Sequence, residues 1–275
     1  MANAKVKLRK PRTPSMRFQS YLSTDDITKK KPERSLVRGL KRKAGRNVYG
    51  RITVRHRGGG AARLYRMIDF KRAERDIEGK ITAIEYDPNR NVRIALVVYR
   101  SGAKRYILLP EGLKVGSSVI AKENAEARTG NALLLRNVPL GFFVHNIELV
   151  PGKGGIIARS AGTTAQLIAK TDEYATLKMP SGEVRMVPLD CWATIGTLGN
   201  AAYKNISWGK AGRTRHRGFR PSVRGMAMNP VDHPHGGGEG RSKSGSHPRT
   251  PWGKGCKGTR TRKRKNPLII RRRKK

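Results

Sequence analysis

Positive charge in this sequence is gathered at its two ends, and that distribution limits where a compact core can form. Residues 1–75 have 23 basic and 5 acidic side chains, residues 76–199 have 15 and 12, and residues 200–275 have 22 and 2. The middle has the balance of an ordinary globular protein. The flanks are poor in branched and aromatic residues, so burial cannot offset the entropy of ordering them. Alone, they are expected to be largely disordered and to order against a charged partner.

The formal charge of +41 over 275 residues makes nucleic acid the expected partner. A membrane is the other polyanion, but no run approaches the roughly 18 apolar residues of a spanning helix, and the basic stretches lack an apolar face. No membrane partner is expected. The first residues are basic without the apolar centre of a secretory signal, and Asp25 and Asp26 weigh against a transit peptide. Cys191 and Cys256 stand far apart with no CxxC, so neither a disulfide framework nor a zinc finger is expected, and a reducing compartment fits.

Between the flanks, strand signals recur at short intervals. Gly79–Tyr86, Val92–Tyr99, Tyr106–Leu109 and Ser118–Ala121 read as strands separated by turns at Asp87-Pro88-Asn89 and Ser101-Gly102, with Leu64–Phe70 as a fifth. Five short strands suit a small closed barrel of the oligonucleotide-binding (OB) type, which leaves no exposed edges. A second barrel of similar size is read from Phe143–Val150, Gly155–Arg159, Gln166–Ala169, Tyr174–Met179 and Val184–Val187. The best short helix candidate is Gly199–Ile206.

Three segments have the composition of nucleic-acid contacts. In Arg51–Gly60, Gly58, Gly59 and Gly60 let the backbone approach phosphate or sugar closely, while Arg51, Arg55, His56 and Arg57 supply charge. Arg213, Arg215, Arg217, Arg220 and Arg224 are interleaved with His216 and Phe219, and the planar guanidinium bonds two phosphate oxygens or stacks on a base. The runs Thr259–Lys265 and Arg271–Lys275 read as a polybasic arm. Pro151–Gly155 lacks the spacing of a phosphate-binding loop and reads as a tight turn between strands.

The stretch Met228–Arg241 combines Pro230 and Pro234 with His233, His235 and a run of glycines, so it must be a loop. Its His235-Gly236-Gly237-Gly238 string resembles an oxyanion-hole segment, and Ala158–Gly162 is a loose relative of a nucleophile elbow. The small-barrel surroundings lack the large α/β sheet such an elbow requires, so no enzyme is expected. Asp232, His233, His235, Glu239, His247 and Cys256 are metal donors by type. No four-ligand spacing appears, however, and Pro234 is expected to point the two histidines apart. No metal and no cofactor are expected.

These segments together resemble the bacterial-type protein two family of the large ribosomal subunit. The matching residues are Gly50–Gly60, Tyr65–Arg72, Glu85–Arg90, Pro151–Gly155, Ala158–Gly162 and Met228–Arg241. The likeness runs from about residue 35 to the end. Ala61-Ala62 stands where members commonly have His-Lys, and His216 where Trp is common; residues 1–34 match poorly.

The resemblance implies a mainly β chain, with an OB-fold followed by an SH3-like barrel in tandem and long basic extensions. The expected divisions are 1–50 for the N-terminal extension, 51–126 for the OB-like barrel, 127–199 for the SH3-like barrel and 200–275 for the Gly/Pro-rich C-terminal extension. It implies binding to large-subunit rRNA through the residues above and through Arg66, Lys71, Arg72, Lys153, Arg159, Asn229, His233, His235, Gly236, Gly237, Gly238 and Arg241. Asp232 and His233 would support a peptidyl-transferase region whose chemistry RNA performs. Subunit association, tRNA positioning and contact with neighbouring ribosomal proteins, the small subunit and tRNA are further expectations, on a cytoplasmic or organellar ribosome, with no homo-oligomer. The alternative reading is a free RNA chaperone or a nucleic-acid-compacting protein.

Overall fold

The computed structural model describes residues 5–239 and 247–273, and the chain is mainly β. It divides into two compact units, one built from Met1–Lys41, Ala62–Ala211 and Pro267–Lys275, the other from Arg42–Ala61 and Gly212–Asn266. Residues 51–61, expected to open the first barrel, belong instead to the second unit.

The first unit starts with β1 (Val6–Leu8), paired antiparallel with β2 (Ser20–Leu22). Next, β3 (Val37–Gly39) pairs with β4 (Leu64–Arg66). The OB-type barrel is then built on β5 (Gly79–Glu85), β6 (Ile94–Tyr99), β7 (Lys104–Leu108) and β8 (Ser118–Val119), in the order β7-β6-β5-β8. The expected fifth strand, Leu64–Phe70, is thus only three residues long and pairs with β3, while Ile68 reaches the barrel through one bridge to Tyr106.

Strand β6 has no polar face because both of its faces are covered. Ala95, Val97 and Tyr99 pack with Ile81, Ile107 and Val119 on one side. Ile94 and Leu96 pack with Ala83, Tyr106 and Leu36 on the other. Leu36 comes from the N-terminal flank, so that flank is anchored here and is not a free arm. Thr28 exchanges hydrogen bonds with the Ile84 backbone, its N–H donating to the carbonyl (3.0 Å) and its hydroxyl accepting from the amide (2.9 Å). The buried Arg93 guanidinium donates to both Asp26 carboxylate oxygens (2.9 and 3.2 Å).

The SH3-like barrel follows, with β9 (Ala132–Leu134), β10 (Phe143–His145), β11 (Ala165–Lys170), β12 (Tyr174–Lys178), β13 (Val184–Pro188) and β14 (Trp192–Ile195). Its core includes Leu133, Leu135, Val144, Ile147, Leu167, Leu177, Val187 and Ile195. Two of these strands, β9 and β14, carry no alternation in sequence because all or nearly all of their residues are buried. The expected strand 143–150 stops after His145, where Asn146 turns the chain with φ +49°. The expected strand 155–159 shrinks to an Ile147–Ile157 bridge beside Ala158 at φ +53°. Gly199–Ile206, the helix candidate, holds a 3-10 turn over Ala201–Asn205.

The polybasic tail also contributes to this barrel, since β15 (Ile269–Arg271) adds an edge to β13. Three successive arginines from Arg271 guard that edge against further pairing. The two barrels share a small core of Val92, Leu108 and Leu198 with Phe70 and Ala161 packed against it. Arg72, itself buried and at φ +55°, donates to the Gly130 carbonyl (3.1 Å).

Two buried polar side chains set the SH3-like barrel's sensitivity to change. The Glu148 carboxylate accepts N–H bonds from Gly152 (3.2 Å), Gly154 (2.7 Å) and Trp192 (3.2 Å), holding the Pro151–Gly155 turn to β14. Charge-assisted bonds to a buried acceptor are worth about 1.5–3 kcal/mol. Glu148→Gln, which swaps one acceptor oxygen for a donor, should therefore destabilise the folded chain by about 2 kcal/mol in urea unfolding, with no change in the cooperativity of the transition.

His145, in contact with the Gly196 carbonyl through Nδ1 (2.7 Å), has its pKa pushed down to about 4 by burial. An unfolded imidazole titrates near 6.5, so between those values the unfolded chain binds a proton that the folded barrel refuses. Its contribution is complete above about pH 6.5 and is lost as pH falls toward 4, by about 3 kcal/mol in total. Unfolding free energies measured from pH 7.5 to 4 should fall more steeply in the native chain than in His145→Asn, and parallel profiles would contradict this assignment.

Candidate nucleic-acid interface

The second unit joins two segments more than 150 residues apart in sequence. It holds 21 basic and 2 acidic side chains in 75 residues. None of the buried hydrophobic residues of the described chain belongs to it. What holds it together is backbone pairing and ring contacts rather than a core.

The pairing runs between the triple-glycine segment and the arginine cluster. Gly58 N–H donates to the Gly218 carbonyl (2.9 Å), Ala61 N–H to that of His216 (2.8 Å), and Arg220 N–H to that of His56 (3.0 Å). Only glycine fits at 60, where φ is +64° and an added Cβ would lie 2.7 Å from the His216 oxygen and 2.8 Å from the Gly218 nitrogen. The short helix α1 (Ala211–His216) delivers the arginines to this ladder. Around it, the Arg57 guanidinium lies 4.7 Å from the centre of the Phe219 ring, Arg217 lies 5.8 Å from the same ring, and Arg55 stacks on Trp252 at 4.9 Å. Cation–π contacts of this kind hold the guanidinium planes in place without neutralising them. Ala61 and His216 thus meet each other in this ladder.

A hairpin completes the unit. Asn47 Oδ1 accepts N–H bonds from Tyr49 and Arg51 (both 3.0 Å), and Thr53 and Val54 both donate to the Gly45 carbonyl (2.9 and 3.0 Å). Tyr49 stands at its tip, 85% exposed. Arg46, Tyr49 and Trp252 stand outside the set of contact residues expected from sequence. The Asn47–Gly50 turn composition was the available signal for the hairpin, whereas nothing local marked Trp252 as a partner of Arg55.

The loop from Met228 is irregular, as its prolines and glycines require, but it is braced from within. Gly237 N–H donates to the Met228 carbonyl (3.0 Å) and Gly236 N–H to that of His233 (2.9 Å). A Cβ on Gly236 would lie 2.3 Å from the Asn229 oxygen, and one on Gly225 would lie 2.5 Å from the His233 ring. His233 is buried, and its Nδ1 accepts the His235 N–H (3.1 Å). His235 Nε2 in turn accepts the Arg249 N–H (2.8 Å). The expectation that Pro234 separates the two histidines fails, because the turn folds their rings to 5.1 Å apart. Val231 and Asp232 face outward at the tip. Among the described residues no group of three His, Cys, Asp or Glu side chains is gathered for a metal ion, and no helix is long and apolar enough to cross a membrane.

Of the expected contact residues, Arg51, Arg55, His56, Arg57, Gly59, Gly60, Arg215, Arg217, Arg220, Arg224, Asn229 and Gly238 are exposed in the second unit. Gly58, Arg213, His235, Gly236 and Gly237 are half-buried there, and His233 is buried. Arg241 lies outside the described residues. In the first unit, Lys71 and Lys153 are exposed. Arg159 lies over the Phe70 ring at 4.3 Å while donating to the Gly155 carbonyl (3.0 Å). The Pro151–Gly155 amides are not a phosphate cradle, since Glu148 occupies those of Gly152 and Gly154.

Arg66 and Arg72 are corrections to the expected set. Both are buried, with Arg66 donating to the Leu64 carbonyl (3.0 Å) and Arg72 to that of Gly130, so neither presents a guanidinium to an external phosphate.

Residues 33–121 match the family model described as Ribosomal Proteins L2, RNA binding N-terminal domain, and residues 128–253 match Ribosomal Proteins L2, C-terminal domain. The chain belongs to the ribosomal protein L2 family. It is 58% identical over 273 residues to the large ribosomal subunit protein uL2 of Wolinella succinogenes, covering 98% of this chain and 99% of that protein. The match to the L2 C-terminal model ends inside the second unit, so the family's likeness extends over both barrels and much of the cationic ladder.

Gly60→Ala should open the ladder specifically. The left-handed backbone and the two close contacts make a loss of about 2 kcal/mol or more the expected size. Hydrogen exchange should speed up at the Gly58 and Ala61 amides and stay unchanged in β11–β13; unchanged protection at residues 58 and 61 would show that the ladder tolerates a side chain there.

Proposed function

We propose that this chain is a structural protein of the large ribosomal subunit, bound to large-subunit rRNA on the cytoplasmic ribosome, and that its role is architectural rather than enzymatic. The observation that carries this reading is the second unit, with 21 cations against 2 anions and, among the described residues, no buried hydrophobic side chain. Such a unit repels itself in isolation and gains its counter-charge from a polyanion. The likeness to a large-subunit protein over nearly the full length favours rRNA over arbitrary nucleic acid, and so favours this reading over a free chaperone or compacting protein.

The mechanism is neutralisation combined with shape. Exposed arginines release counterions from phosphates, while the ladder, hairpin and braced loop offer a fixed relief for folded RNA to fit. Arg55, Arg57, Arg220 and the cluster from Arg213 to Arg224 make the phosphate and base contacts. Lys71, Lys153 and Arg159 contribute a second cationic patch from the barrels. We assign His233 a positioning role: buried between Gly225 and the His235 amide, it holds the outward tip Val231-Asp232 against RNA near the peptidyl-transferase region. Subunit association and tRNA positioning then follow indirectly, from the RNA shape the protein maintains, and neighbouring ribosomal proteins are further partners.

Three experiments test this. The protein should co-sediment with large subunits through high salt, and recovery in the soluble fraction alone would overturn the assignment. Replacing Arg55, Arg57 and Arg220 by Gln should reduce the slope of log affinity against log salt by about 2, from about 0.7–0.9 per phosphate contact. In cells, His233→Ala should leave both barrels folded yet impair large-subunit assembly or translation; a normal ribosome profile and growth rate would show the loop brace to be dispensable.

A further inference from the structure

Between the hairpin and the ladder of the second unit lies an open groove of about 320 Å³. Ile52, Val54 and Pro221 give it an apolar floor, and Arg46, Arg55, Arg57 and Arg220 stand around it. Among the described residues none of these four arginines is in an ion pair. Two of them, Arg55 and Arg57, have their planes fixed on Trp252 and Phe219. His56 stands at the wall with φ +59°, a conformation that strains any residue with a side chain. Its carbonyl is held there by the Arg220 N–H. Strain retained against a fixed backbone partner is a mark of a site that is shaped for something.

The walls are also fixed before any ligand arrives. Gly45 has φ +72°, and a Cβ there would lie 2.4 Å from the Val54 oxygen and 3.0 Å from Arg57 Cβ, so the hairpin is pressed against the groove. An apolar floor ringed by unpaired cations suits a ligand with one flat uncharged face and one anionic end. A volume at the small end of ligand sites leaves room for one such unit and not a stacked pair. An unstacked base in RNA has this character, and single-stranded or bulged nucleotides are where proteins read RNA by stacking and edge contacts.

We propose that this groove receives one unstacked ribonucleotide of the bound RNA, its base on Ile52, Val54 and Pro221 and its phosphate between Arg55 and Arg220. The inference rests on the rRNA-binding role proposed above and adds a selection for unpaired nucleotides that charge alone does not provide.

The test compares the full-length chain with the double variant Ile52→Ser, Val54→Ser, whose charge is unchanged. Ile52 and Val54 are both exposed, at 62% and 51%, so the substitutions remove no buried core. The probes are a fully paired RNA duplex and the same duplex interrupted by one unpaired nucleotide. The native chain should bind the interrupted duplex about tenfold more tightly, the size expected when one base face is removed from water against aliphatic side chains. The variant should lose that preference while keeping its affinity for the paired duplex and its salt slope. As a second arm, 2-aminopurine at the unpaired position should change its fluorescence on binding the native chain and not the variant. Equal binding of both RNAs by the native chain, or a preference that survives in the variant, overturns the groove assignment. Absence of any salt-dependent RNA binding would instead overturn the underlying rRNA reading.

Discussion

Like charge gathered where no apolar core exists is the constraint on which this molecule depends. The Arg42–Ala61 and Gly212–Asn266 segments hold 21 cations, and among the described residues they contain none of the buried hydrophobic core. In an ordinary domain, apolar burial opposes chain entropy. Here a few backbone bonds between residues 56–61 and 216–220, a hairpin closed on Asn47, and guanidinium–aromatic contacts must suffice. Those interactions fix directions rather than supply large free energies. The unit is accordingly a shaped cationic surface, held by directional contacts rather than by burial.

The barrels solve the opposite problem. They are close to charge balance and contain the core, and they use buried polar groups sparingly to set geometry. Glu148 ties one turn to β14, and Arg72 and the Leu198 cluster join the OB-type and SH3-like barrels. Arg66 and Arg72 show why charge in sequence is an incomplete guide to RNA contact. A buried guanidinium that donates to a backbone carbonyl of its own chain is a structural donor, however basic its neighbourhood.

Glycine has two distinct uses in the cationic unit. At Gly60 and Gly237 it permits a left-handed backbone, and at Gly225 and Gly236 it removes a Cβ that would strike the His233 ring or the Asn229 carbonyl. Both uses bring backbone segments closer than any other residue would allow. The histidine loop therefore keeps its form through its own contacts, with His233 as an internal brace and Val231 and Asp232 outermost.

The sequence by itself determined the mainly β class, the central strands β5, β6, β12 and β13, and the polyanionic nature of the partner. Those features are written in local alternation, turn residues and net charge, which need no distant contact to be read. It also singled out Arg51–Gly60 and Arg213–Arg224 as candidate contact segments, because closely spaced glycines and arginines have a composition suited to phosphate. Only the tertiary structure decided that these two segments pair, that Leu36 and Ile269–Arg271 leave the basic flanks to complete the barrels, and that Arg66, Arg72 and His233 turn inward. β9 and β14 were invisible for the same reason: a strand buried on both faces loses its period of two. Pairing across more than 150 residues and burial on both faces are set by the packing of the whole chain, and no local pattern records them.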